Sequence, residues 1–231
     1  MGPVVGGGTP GALLLLADGR FPAGAHAHSG GAEAAVRAGR ITDARSLAAF
    51  CRGRLHTAGL VAAALAATAA AGADPAELDA AADARTPSPA LRAVARRLGR
   101  QLLRAARATW PDPALDALAT AVPGGPHQPV VLGVVGRAAG LGPRDVALAA
   151  GYDAVSAPAS AVVRLLGLDP FEATAVLARL APETERVAGL AVAAADAYPE
   201  AGCDALPAGA APLLEIAAEH HAAWPVRLFA S

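Results

Sequence analysis

Residues 89–109 read PALRAVARRLGRQLLRAARAT, and this stretch decides the fold. Leu91, Val94, Ala95, Leu98, Leu102, Ala105 and Ala106 recur at three- and four-residue intervals, while Arg92, Arg96, Arg100, Arg104 and Arg107 fall on the other side. That period belongs to a helix and not to a strand. It predicts an amphipathic helix with an apolar face for a core and a basic face outside. Trp110-Pro111-Asp112-Pro113 stops it, and Pro123-Gly124-Gly125-Pro126 is a second break.

The same reading extends outward in both directions. Hydrophobic types make up 54% of the 231 residues but aromatics only 3%, so the core is built from Leu, Val and Ala. These residues, with Arg and Glu, lose little on entering a helix. Ser29 and Asp43 are read as N-caps, Gly39 as a stop, and Asp74-Pro75, Pro143 and Asp169-Pro170 as helix starts. Pro182 is read as the start of a further helix to Tyr198, and Leu213 to His221 as the last one. Val130 to Val135 has strand-like β-branched residues, but no partner strand is visible elsewhere, so it is read as helical. The expectation is an all-α, single-domain helical bundle of roughly ten helices without a sheet. Residues 1–11 are read as a flexible lead-in, 12–223 as the helical domain and 224–231 as a tail.

Charge and composition narrow the function classes. The formal net charge is −1, which gives no bulk attraction to nucleic acid or anionic lipid. Every basic side chain apart from histidine is Arg; the sequence holds no Lys and no Asn. A Walker phosphate loop and a Schiff-base enzyme both need a lysine, so neither chemistry is encoded here. Cys51 and Cys203 form no CxxC pair, which argues against a disulfide scaffold or a thiolate zinc site and for a reducing compartment. No basic residue precedes the Leu13–Leu16 run as a secretory signal requires. Leu55 to Ala73 is uncharged but too rich in Ala for insertion. The expected location is cytoplasmic, with no membrane contact.

Individual candidate constellations have bland readings beside the chemical ones. His26 and His28 could offer imidazoles to nickel, zinc or copper, but no third ligand is near in sequence. Glu215, Glu219, His220 and His221 lie together on one helix, with the adjacent histidines turned apart. Cys51 and His56 point to different sides of theirs. His28, Ser29 and Glu33 have hydrolase-like types without a nucleophile elbow, and a helix start accounts for Ser29. The arginine stripe could meet phosphates or an acidic protein, yet no aromatics are interleaved to stack bases. Catalytic, metal and cofactor sites are therefore expected to be none. A helical metal-dependent hydrolase using His26 to Glu33 and an arginine-rich nucleic-acid-binding regulator are the alternatives.

Four segments in order carry a resemblance. Residues 21–33, FPAGAHAHSGGAE, resemble the FP-x-G…H-S-x-G-L-E signature of the urease accessory protein UreF family. Residues 127–141, HQPVVLGVVGRAAGL, are similar to its H-x-P-V-V-x-G helix, and residues 160–168, SAVVRLLGL, to its A-A-V-R-L-x-x-L-G segment. Arg227-Leu228-Phe229-Ala230-Ser231 is similar to its terminal R-L-F-x-S. Ala32 departs from the usual Leu, and Asp169-Pro170 stands where the family often has Gly-Gln. The resemblance implies an all-helical homodimer, not an enzyme and without a cofactor. It also implies binding to UreD (UreH), recruitment of the GTPase UreG and nickel delivery to the urease apoprotein. Carried onto this chain, the implied partner-binding residues are Phe21, Pro22, His28, Ser29, Glu33, Arg164, Arg227, Leu228 and Phe229. Because Pro225 ends the last helix, the tail is expected to leave the body as an extended segment.

Overall fold

The computed structural model describes residues 10–230. Most of the expected lead-in, and Ser231, lie outside them, while Pro10 and Gly11 open the first helix. In chain order the α-helices are α1 (Pro10–Ala17), α2 (Ala32–Arg37), α3 (Ala44–Arg54), α4 (Leu60–Ala70) and α5 (Pro75–Ala84). Then come α6 (Pro89–Thr109), α7 (Pro113–Ala121), α8 (Gln128–Ala138), α9 (Pro143–Leu166), α10 (Pro170–Ala201) and α11 (Pro212–Ala222). A π-turn, Leu55–Gly59, joins α3 to α4. No strand occurs among the described residues, and the protein is all-α.

Four helix starts follow one local rule. Asp74, Ser88, Asp112 and Asp169 each precede a proline and each accepts a hydrogen bond from a first-turn amide, at 2.8, 3.1, 2.8 and 2.9 Å. The proline keeps the preceding residue out of the helical region, and the polar side chain then satisfies an orphan amide. Asp43 closes a reciprocal capping box with Ser46.

Helix α4 is the centre of the bundle. Val61 and every residue from Ala63 to Ala70 are buried, as expected of a helix that is apolar all round. It packs against α8, α9 and α10. Contact with α8 is close because Gly133 has no side chain: a Cβ there would lie 2.4 Å from both the Ala66 carbonyl oxygen and Ala69 Cβ. Val130 to Val135 lies in α8, so the β-branched run is helical. Helix α9 is long and apolar enough to cross a membrane, but it is mostly buried against α4 and α10.

Three local expectations are corrected. Pro182 does not open a helix; it lies inside the continuous 32-residue α10. A proline removes one i−4 bond, and the surrounding Ala-rich turns packed on α9 and α4 carry the helix across it. The N-cap of α2 is Gly31, at φ 89°, although the Ser29 hydroxyl still accepts the Glu33 amide at 3.2 Å. In α6 only the C-terminal half of the apolar face is buried, through Leu102, Ala105 and Ala106, whereas Leu91, Val94 and Leu98 are half-buried.

Candidate functional site

The tail does not leave the body. Beyond α11 the chain turns at Trp224 and Pro225 and runs back across the loop that precedes α2. Ala230 donates its amide to the Ala27 carbonyl at 2.8 Å. The Glu33 carboxylate accepts the amides of Leu228 and Phe229, at 2.8 and 3.0 Å, and meets His221 Nε2 at 2.9 Å. Both Glu33 and His221 are buried. Burial alone would raise the Glu33 carboxyl's pKa, but the His221 bond and the two amides outweigh it and hold it below the ordinary range.

Other contacts fix the same segment. The Phe229 ring is buried, with the Arg164 guanidinium 4.3 Å from its centroid. Arg164 also donates to the His26 carbonyl at 2.9 Å. The Arg37 guanidinium covers Trp224 at 4.1 Å. Phe21 is buried and stacks on Trp110, with centroids 5.7 Å apart, which anchors the start of the loop. His28 and Ser29 are buried, and burial, helped by the charges of Arg97 and His26, pushes the His28 pKa down to about 4.

Eight of the nine residues singled out from the sequence lie on or around this junction: Phe21, His28, Ser29, Glu33, Arg164, Arg227, Leu228 and Phe229. Pro22, in the same loop, is exposed. Arg227 is exposed too, and Leu228 is 76% exposed, while the adjacent Phe229 is buried. The His220 and His221 neighbours divide as expected, one exposed and one buried. Glu219 belongs elsewhere, accepting Ser88 Oγ and, at 2.9 Å, the Ala90 amide at the start of α6. Cys51 is buried, its thiol donating to the Val155 carbonyl and its pKa pushed up by burial to about 12, and His56 instead meets Glu183 at 3.0 Å. Among the described residues no group of three or more His, Cys, Asp or Glu side chains is placed to hold a metal ion.

A second polar node was not foreseen. Buried His127 donates its amide to Asp79 at 2.7 Å and its ring meets Asp83 at 2.7 Å. Arg96 bridges the same two carboxylates, at 3.0 and 2.6 Å, and donates to the Gly125 carbonyl at 2.7 Å. This node pins the 123–127 break to α5 and α6. The available signal was Asp79 and Asp83 at i, i+4, preceding Arg92 and Arg96 at the same spacing. Of the arginine stripe, Arg92 and Arg96 are half-buried on protein acceptors, while Arg100, Arg104 and Arg107 are exposed.

These features define an all-helical protein whose distinctive surface is a docked C-terminal peptide. A family profile described as UreF matches residues 41–181. A urease accessory protein UreF of Mycolicibacterium vanbaalenii is 43% identical over 223 residues, covering 95% of this chain and 97% of that one. One from Mycobacterium marinum is 42% identical over 221 residues with the same coverage. One from Mycobacterium tuberculosis H37Rv is 44% identical over 184 residues, covering 78% and 84%. The chain belongs to the UreF family of urease accessory proteins.

Proposed function

We propose that this chain is the non-catalytic scaffold of a nickel-delivery assembly, working as a homodimer in the cytoplasm. In this reading it binds UreD (UreH), recruits the GTPase UreG, and brings both to the urease apoprotein for GTP-dependent nickel insertion, with no cofactor of its own. Family membership supports the maturation role. The observation that carries the docking role is the tail: one backbone edge is held by Glu33 while Val226, Arg227 and Leu228 face outward. Apolar side chains beside an arginine suit recognition by a partner. Exposed Phe171, Leu190, Leu213 and Ile216 supply further apolar surface for dimer or partner contacts. The hydrolase alternative has less support, because Glu33 is committed to His221 and two tail amides.

The test is co-expression with the chain's own UreD and UreG, purified through a tag on this chain. The full-length protein is expected to bring down both partners and activate urease. Deletion of Arg227–Ser231 is expected to keep the helical circular-dichroism spectrum and lose the ternary complex. Normal assembly and activation by the truncated chain would defeat the docking role.

A further inference from the structure

The uncovered half of the α6 apolar face borders a cavity of about 360 Å³. Val61 and Leu65 of α4, Val94 and Leu98 of α6, and Leu214 of α11 supply apolar walls. The volume falls in the range of small-molecule sites, about 300–1,000 Å³.

Arg54 and Asp153, a basic and an acidic residue, line the same cavity. Arg54 Nε donates to the Ala154 carbonyl at 3.0 Å, but among the described residues its Nη1 and Nη2 have no acceptor. Asp153 accepts no hydrogen bond from a described residue. The two groups attract each other, yet no ion pair within 4.0 Å joins them. Burial pushes the Asp153 carboxyl pKa up, and Arg54 only partly opposes this. A separated pair of this kind gains when something between the charges satisfies both.

The other polar groups on the lining are largely occupied or neutral. Arg85 donates to the Cys203, Leu206 and Pro207 carbonyls, and Arg97 to Ala230. His28, its pKa near 4, carries no charge at neutral pH. Glu215 and Arg227, one of each sign, complete the charged lining.

We infer that this cavity binds a small zwitterion with an apolar side chain, an apolar α-amino acid. Its carboxylate meets the Arg54 Nη groups, its ammonium meets Asp153, and its side chain lies against Val61, Leu65, Val94 and Leu98. Neither a simple fatty carboxylate nor a simple amine satisfies both protein charges. This binding is independent of the scaffold role and goes beyond it.

The test is titration calorimetry on the purified full-length chain at pH 7, with L-leucine and L-phenylalanine as probes. Saturable binding of one molecule per chain is expected. Leucinamide, which lacks the carboxylate, and 4-methylpentanoate, which lacks the ammonium, are each expected to bind at least about tenfold more weakly. Arg54→Gln and Asp153→Asn are expected to abolish the preference for leucine over the analogue lacking the matching charge. No saturable heat up to roughly 10 mM overturns the proposal. So does equal binding of leucine and both analogues, which would mark an apolar void without charge recognition. Since the analogue series uses the unmodified chain, it decides the matter even if a variant fails to fold.

Discussion

Phe229 lies 196 positions beyond Glu33 in sequence, yet its backbone amide donates to the Glu33 carboxylate at 3.0 Å. The neighbouring Leu228 amide reaches the other oxygen, so one buried side chain near the N-terminus reads the backbone of the C-terminus. Backbone recognition of this kind fixes the course of the tail and leaves the Arg227 and Leu228 side chains facing outward.

Glu33→Gln tests that hold directly. Glutamine keeps one acceptor oxygen but sets an NH₂ against the other donor, and hydrogen bonds to a charged group contribute about 1.5–3 kcal/mol. The expected outcome is a loss of about 2 kcal/mol, a fall of roughly 4–8 °C in Tm, and lost hydrogen-exchange protection at Leu228 and Phe229. Unchanged protection at those two amides would mean that other contacts hold the tail.

Acid is expected to loosen the same junction from two sides. The His28 pKa is depressed in the folded chain, so its contribution is intact above the unfolded value of 6.5 and is lost as pH falls toward about 4. A depression of that size corresponds to about 3 kcal/mol. The Glu33 pKa is also lowered, so its contribution is present above the ordinary carboxylate range and is lost on protonation at lower pH. Urea denaturation between pH 7 and pH 4 should show a stability decline that is flattened in His28→Gln. An identical slope in that variant would remove His28 from the account.

The helices were legible because their signals are local. Caps at Asp43, Asp74 and Asp169 and the period of residues 89–109 each operate within a few residues. Pro182 misled for the complementary reason: its local effect is to break, and only the packing of α10 on α9 and α4 shows that the helix continues. Glu33, Arg164 and Phe229 were singled out by resemblance, and their mutual contacts could not be read from spacing because they join segments far apart in the chain. The tail was expected to extend because Pro225 ends a helix. Proline says nothing of where the chain goes next, and Glu33 offered acceptors for its amides. The Asp79, Asp83, Arg96 and His127 node was missed because a regular charge spacing also describes a solvated face.

Gly133→Ala probes a close helix contact in the core. Its new methyl would meet backbone and side chain of α4 at 2.4 Å, so α4 and α8 must move apart. Overpacking of this kind costs about 1–3 kcal/mol, which outweighs the gain of up to about 1 kcal/mol from replacing a helical glycine. Gly189→Ala, with nothing within 4 Å of the added carbon, is the control and is expected to be neutral or stabilising. If both variants gain stability in denaturant titrations, the α4–α8 approach is looser than described.

Arg164 is the one cation that ties the third family-like segment to the tail. The resemblance implies a partner contact for Arg164, and within the chain its guanidinium donates to the His26 carbonyl and lies over the Phe229 ring. The group is exposed, so its pairing with the ring is expected to contribute only about 0.5–1 kcal/mol. Arg164→Ala should therefore lower Tm by roughly 2–4 °C and leave the helical circular-dichroism signal unchanged. Phe229→Ala should cost more, about 3 kcal/mol, because it also empties the ring's buried site. In the double variant the two losses should fall short of additivity by about 0.5–1 kcal/mol, since the cation has no ring left to lose. Additivity within about 0.3 kcal/mol would show that the cation and ring are neighbours without coupling. In that case Arg164 acts on the tail through the His26 carbonyl alone.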